Sequence, residues 1–301
     1  MKIVYGTFNN SIDVTDICFS KLLYNNTIII PSSDFTRQCY FTDPLYGVLK
    51  KVIIINGTNI KEYSDKCNIY INIIDNTITT VDIQQYDNQY IFNKLQYIQS
   101  KLQFKDKEGF MCEIPEQLMV VRYLKGNEKV LEIGSHTGRN SLIIAYILQS
   151  NNFVTFECDT GIINQLKDNR DSNNFKFHIE NAALSKRKLI QKDFDTIPSD
   201  TLQDGYKWVN TVTLDEIKAK YDITFDTLVL DCEGAFYYIL MDMPEILENI
   251  NLIIVENDYL NIEHKKYVDS VLKKNNFYVE YAASGGSGPC YNYFYEVWKR
   301  I

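Results

Sequence analysis

The sequence is short of nearly everything that would tie it to a metal, a membrane or a polyanion. It has three histidines and seven cysteines, with no Cys-x-x-Cys pair and no Cys/His ligand spacing. An odd, scattered set of thiols excludes a disulfide framework and a zinc site, and suits a reducing, cytoplasmic compartment. No apolar run is long enough to predict a membrane span. The amino terminus, Met-Lys-Ile-Val-Tyr-Gly, lacks the apolar stretch of a signal peptide. Basic residues are outnumbered, 31 against 39, for a net charge of -8. That balance argues against a broad phosphate-binding face. What is present is globular: 45% hydrophobic residues in 301, enough for one large domain or two ordinary ones.

Residues 1–83 read as a small β-rich accessory domain. Runs such as Ile28–Ile30, Val52–Ile55 and Ile69–Ile74 are separated by Asn, Asp, Gly and Pro. Asp43-Pro44 with Gly47 predicts one turn, and Asn56-Gly57 a hairpin. The tyrosines of this segment and Arg37 are candidates for a binding face, though strand surfaces favour such residues anyway. Residues 84–112 read as a linker that becomes a helix near Asn88 to Lys101. A second helix is expected over Glu113 to Lys125, with Pro115 in its first turn.

From residue 113 to 301 apolar strands alternate with helices: Val130–Ile133, Phe153–Phe156, Phe175–Ile179, Phe225–Leu230 and Leu252–Val255 are the strands. This alternation predicts an α/β domain with a parallel sheet. Phe277–Ala282 and Tyr293–Trp298, joined by a glycine loop, should add an antiparallel edge. Thr213 with Glu216 is a capping box. Residues 186–207 are polar and read as loop-rich.

The chemistry is expected where strand meets helix. Val130-Leu-Glu-Ile-Gly-Ser-His-Thr-Gly138 is a strand, a glycine turn and a helix start, which brings backbone N–H groups to a crevice. Glu157, 23 positions past Gly134, ends the next strand, where a carboxylate can accept both hydrogen bonds of a ribose diol. That geometry serves a nicotinamide dinucleotide or S-adenosylmethionine alike. A dinucleotide fold wants Gly-x-Gly-x-x-Gly, and here His136 and Asn140 or Arg139 occupy the later glycine places. Side chains there obstruct a pyrophosphate but not a methionine carboxylate, which favours S-adenosylmethionine. Other strand ends carry Asp231 with Glu233, and Glu256 with Asn257.

From about Gly109 onward the chain resembles the FkbM family of S-adenosylmethionine-dependent methyltransferases. The matching steps include Val130 to Gly138, Phe156-Glu157, Asn181-Ala-Ala-Leu-Ser185, Val212 to Asp215, Leu230-Asp-Cys-Glu-Gly-Ala235 and Ile254-Val-Glu256. The resemblance implies a Rossmann-like class I methyltransferase sheet acting on hydroxyls of sugars, glycans or small metabolites. It implies cofactor binding by Gly134, Gly138 and Glu157, with Asn181 and Ala182 beside the adenine. Glu132, Ser135 and His136 belong to the same cofactor stretch, and Asp231 faces the methyl group. Asp231, Glu233 and Glu256 are the candidate catalytic bases. Phe236 stands where the family commonly has an acid, which points to a different acceptor pocket.

Asp231 with Glu256-Asn257 also offers oxygen ligands of the kind that hold Mg²⁺, a possibility the resemblance does not demand. His264 is a second base candidate, and Ser284 to Pro289 could form a lid over substrate. Two other functions stay open. One is a non-catalytic binding protein built on a retired methyltransferase domain. The other is a nucleic-acid methyltransferase, disfavoured by the acidic balance and by the lack of an Asn/Asp-Pro-Pro-Tyr step.

Overall fold

The computed structural model describes residues 1–24, 26–45, 47–81, 83–193 and 195–301. The chain divides into two compact units, Met1–Tyr90 and Ile91–Ile301.

The first unit holds two four-stranded antiparallel sheets. One orders Ser11–Asp13, Lys2–Gly6, Lys51–Asn56 and Asn59–Tyr63; the other orders Leu23–Tyr24, Thr27–Ile30, Asn68–Asn72 and Ile78–Val81. The predicted hairpin at Asn56-Gly57 forms, with Asn56 opposite Asn59 and Gly57 at φ +61°. The turn predicted over Asp43 to Gly47 includes Tyr46, which lies outside the described residues.

An all-β unit is not what the chain builds, because helices Thr15–Lys21 and Asp34–Phe41 interrupt the strands. A side-chain cap starts the second, where Ser33 Oγ accepts from the Thr36 amide at 3.5 Å; the first has none, and Asp13 just before it accepts from the Thr15 amide at 3.0 Å. Arg37 is no surface residue either: it is fully buried, donating to the carbonyls of Pro31 and Cys67.

In the second unit seven strands form one sheet. In chain order they are β1 (Val130–Ile133), β2 (Phe153–Phe156), β3 (His178–Glu180), β4 (Thr227–Leu230), β5 (Leu252–Glu256), β6 (Phe277–Ala283) and β7 (Tyr295–Arg300). Their order across the sheet is β3-β2-β1-β4-β5-β7-β6, with β1 to β5 parallel and β7 antiparallel to both neighbours. This is the expected parallel α/β sheet with its terminal antiparallel hairpin. β1, β2 and β4 are buried along their whole length, which explains their unbroken apolar runs. Parallel crossovers are right-handed, so strands running outward in both directions from β1 place helices on opposite faces. The crevice opens where that order reverses, between β1 and β4.

The helix Ile83–Gln99 starts earlier than predicted, and Ile114–Tyr123 follows with Pro115 in its first turn. The Thr213–Glu216 capping box is complete, with the Thr213 amide 2.7 Å from Glu216 Oε2. Residues 186–207, expected to be loop-rich, also carry short strands: Leu189–Lys192, Asp195–Pro198 and Lys207–Val209 make a three-stranded antiparallel sheet. No helix among the described residues is long and apolar enough to cross a membrane.

Candidate active site

The glycine turn after β1 is held by its neighbours. The amides of Gly134 and Ser135 both donate to the Phe156 carbonyl at 3.1 Å, joining the ends of β1 and β2. Gly134 has φ +87°, and a Cβ there would sit 1.6 Å from the Asp231 carbonyl oxygen. Only glycine lets the end of β4 come this close. Gly138, at φ +92°, caps the helix Arg139–Leu148, and a Cβ on it would meet Leu166 Cδ1 at 2.5 Å.

Glu157 closes the next edge. One carboxylate oxygen accepts from the His136 amide at 2.7 Å and the other from the Asp159 amide at 2.6 Å. Burial pushes its pKa up, and those two amides oppose the push. Each oxygen has a second lone pair, so the carboxylate is oriented by the backbone and still able to accept from a ligand.

These groups open on a cavity of about 580 Å³, within the range of small-molecule sites. Of the cofactor candidates, Gly134, His136, Glu157, Ala182 and Asp231 line it. Four others do structural work. Ser135 Oγ donates to the Phe156 carbonyl, and Gly138 forms the helix start. Asn181 Nδ2 donates to the Glu157 carbonyl at 2.9 Å. Glu132 is 1% exposed and accepts from Ser141 and Thr155 instead of facing the cavity. The catalytic candidates Asp231, Glu233 and Glu256 all line the cavity.

The lining is acidic. Eight of its side chains are Asp or Glu, and Arg139 is its one Arg or Lys among the described residues. Arg139 is itself committed: its guanidinium pairs with Glu113 and donates to the Gly109 carbonyl at 2.9 Å. Asp231, Glu256 and Asp258 bring carboxylate oxygens within 4.8 Å of one another. Burial first, then the crowding of like charges, raises the pKa of all three, Asp258 up to about 7 and Asp231 well above the usual range. Glu116, from the helix Ile114–Tyr123, hydrogen-bonds Glu256 and adds to the rise in its pKa.

Asn257 does not join this group. It is 1% exposed and its amide donates to the Tyr293 carbonyl at 2.6 Å and to Glu296. Asp258 takes the place assigned to it. The trio is all oxygen, which is the donor chemistry of a hard divalent cation, and Glu116 Oε2 behind it is buried with no partner among the described residues. His264 stacks on Tyr237 with ring centres 3.8 Å apart and is not part of the lining. The Ser284 to Pro289 loop packs Gly285 and Gly286 on Tyr295 and Phe294, likewise away from the lining.

Sequence reasoning missed one wall entirely. Leu189, Gln191, Thr196 and Pro198, all from the small antiparallel sheet, line the cavity. The available signal was the alternation in Leu189-Ile-Gln-Lys, which is too short to stand out in a polar stretch. Glu116 was missed because it lies on a helix away from the strand ends, and Asp258, two residues past the end of β5, was passed over for Asn257.

No family model matches the chain, and no curated protein does. Similar solved structures include an O-methyltransferase from Bacillus cereus in complex with SAH, 12% identical, with a TM-score of 0.40, covering 72% of this chain and 95% of that one. A protein of the NADB-Rossmann superfamily from Streptococcus agalactiae is 13% identical, with a TM-score of 0.39, covering 62% and 67%.

Proposed function

We propose that the unit Ile91–Ile301 is an S-adenosylmethionine-dependent methyltransferase acting on a hydroxyl of an uncharged sugar, glycan or small metabolite. The observation that carries this reading is an acid-lined cavity at a glycine turn, with no free Lys or Arg among its described lining residues. A dinucleotide would bring a pyrophosphate into that field and be repelled. A sulfonium is attracted by it. The same argument disfavours nucleic acid and phosphorylated metabolites as acceptors, since each brings anions into an acid-lined cavity.

Glu157 would hold the ribose diol, and Ala182 would lie against the heterocycle. The methionine end would meet the Gly134 turn. When bound, the cofactor supplies an electrophilic methyl group, so the protein has little activation to do. Its task is to align the acceptor oxygen and take its proton. Glu233 and Asp231 line the cavity, and burial raises the pKa of both, which makes each carboxylate a stronger proton acceptor. Glu256 lines the same cavity, tied to Glu116 by a hydrogen bond. Asp231, Glu256 and Asp258 are the residues that would hold Mg²⁺.

Calorimetry tests the reading. S-adenosylmethionine and S-adenosylhomocysteine should bind with micromolar affinity, roughly -8 kcal/mol, and Glu157→Ala should abolish both. Absence of heat from either ligand overturns it. Binding without turnover across a panel of sugars, glycans and small hydroxyl compounds would leave a cofactor-binding protein instead.

A further inference from the structure

Beyond the end of β4 the cavity wall carries one aromatic ring that the fold braces from behind. Ala235, Tyr238 and Ile239 line the cavity there, next to Asp231 and Glu233. They are spaced three and four apart, so one side of the helix Phe236–Asp242 and the residue before it makes this wall. Phe156 is the other Phe, Tyr or Trp of the described lining, and it is 1% exposed within β2. Tyr238 is half-buried and keeps surface for a ligand.

Arg187, Tyr237 and His264 hold the Tyr238 ring, and none of them lines the cavity. The Arg187 guanidinium lies 4.9 Å from the ring centre. Asp242, four residues on in the same helix, fixes that guanidinium through Nε at 2.5 Å and Nη2 at 2.8 Å. Tyr237 meets the ring edge-on at 5.0 Å, and His264 does so at 5.7 Å. The ring is therefore backed from outside the cavity. A side chain held this way has little rotamer freedom left to lose when a ligand covers it.

The company of the ring says what suits it. Carboxylates accept hydrogen bonds from hydroxyls, and the negative face of an aromatic ring attracts C–H groups whose carbon bears oxygen. A pyranose offers a face of C–H groups and a rim of hydroxyls in a ring that is already stiff. An open-chain polyol must freeze several torsions to present the same face. A cation is also drawn to acids and to aromatic faces. Tyr238 already carries Arg187, however, and a second positive charge on the same ring is opposed by the first.

We propose that Tyr238 is the platform for the methyl acceptor: a pyranose packs its C–H face on the ring and turns a hydroxyl towards Glu233. This rests on the methyltransferase reading and narrows its acceptor to a cyclic sugar.

The test is methyl transfer by the full-length protein from labelled S-adenosylmethionine. The acceptors are the methyl pyranosides of glucose, galactose, mannose and rhamnose, the matching open-chain alditols, and choline. At least one pyranoside should be methylated, with kcat/KM about 10-fold or more above its alditol. Tyr238→Leu, which fills the space without an aromatic face, should raise KM for that pyranoside about 3- to 10-fold while kcat changes little. Tyr238→Phe, which keeps the ring, should restore the parental KM. S-adenosylhomocysteine affinity, measured by calorimetry, should be the same in the parent and both variants. No transfer to any pyranoside by a protein that binds S-adenosylhomocysteine overturns the assignment alone. So does faster transfer to an alditol or choline, an unchanged KM in Tyr238→Leu, or a loss of S-adenosylhomocysteine affinity in that variant as large as the rise in KM. No binding of S-adenosylmethionine or S-adenosylhomocysteine by the parent overturns the methyltransferase reading and the assignment together.

Discussion

Replacing Glu132 by glutamine gives the sharpest test of the electrostatics beneath the glycine turn. Glu132 is 1% exposed; Oε2 accepts from Ser141 at 2.5 Å and from Thr155 at 2.6 Å. Oε1 has no partner among the described residues. Burial pushes its pKa from 4.5 up to about 7, against the lowering by the two hydroxyls. Below about pH 4.5 the group is protonated whether the chain is folded or not, and the folded state bears no cost. Between 4.5 and about 7 the unfolded chain gives up the proton while the folded chain keeps it, so stability is lost as pH rises. The full loss, reached above about pH 7, is about 3 kcal/mol. Glutamine is neutral throughout and its amide oxygen can accept from the same two hydroxyls. The stability of Glu132→Gln minus that of the parent should therefore grow by about 3 kcal/mol from pH 4.5 to pH 8.5. Both tryptophans, Trp208 and Trp298, belong to the unit Ile91–Ile301, so fluorescence-detected urea unfolding reports on the right part of the molecule. At a slope of roughly 2 kcal/mol per molar, the midpoints should diverge by about 1.5 M urea. A difference that stays constant across this pH range would refute the claim that Glu132 is buried and charged at high pH.

Three further outcomes are expected. Gly134→Ala should destabilise its unit by more than about 3 kcal/mol, because the new Cβ overlaps the Asp231 carbonyl at a left-handed φ; an unchanged thermal midpoint would contradict it. Lys265 is 5% exposed, pairs with Asp269 and lies 2.9 Å from Glu296. Lys265→Met should therefore cost about 3–5 kcal/mol by stranding Glu296, and adding Glu296→Gln should recover much of that in a double-mutant cycle. Glu233→Gln should slow methyl transfer by about 10²- to 10⁴-fold while S-adenosylhomocysteine affinity, measured by calorimetry, changes little. An unaltered rate would remove Glu233 from the proton path.

Much of the second unit was legible because its signals are local. The strands at Val130, Phe153 and Thr227 are buried throughout, and that at Leu252 all but its last residue, and they announce themselves as apolar runs. Gly134 and Gly138 carry left-handed backbone at the predicted turn, and Thr213 with Glu216 forms its cap as spaced. The small sheet was hidden because strands of three or four residues, rich in Lys, Asp and Gln, have too little alternation to rise above a polar loop. In the first unit, Thr15–Lys21 and Asp34–Phe41 escaped notice because local β propensity was overridden by burial of Cys18 and Phe41 and, in the second, by the Ser33 cap.

The carboxylates divide along the same line. That Glu132, Glu157, Asp231 and Glu256 end apolar strands is a property of the sequence read residue by residue. Which of them share a cavity is not. Glu132 turns inward to Ser141 and Thr155, Asn257 turns away to Tyr293, and Glu116 arrives from a separate helix to meet Glu256. Gln191 reaches the cavity only because its short strand pairs with Asp195–Pro198 across a turn. The sequence by itself determined where strands stop and where the chain can bend, since both depend on neighbouring residues. The chemistry of the cavity depends on which distant strand ends lie side by side and which way each side chain points, and only the tertiary packing decided that.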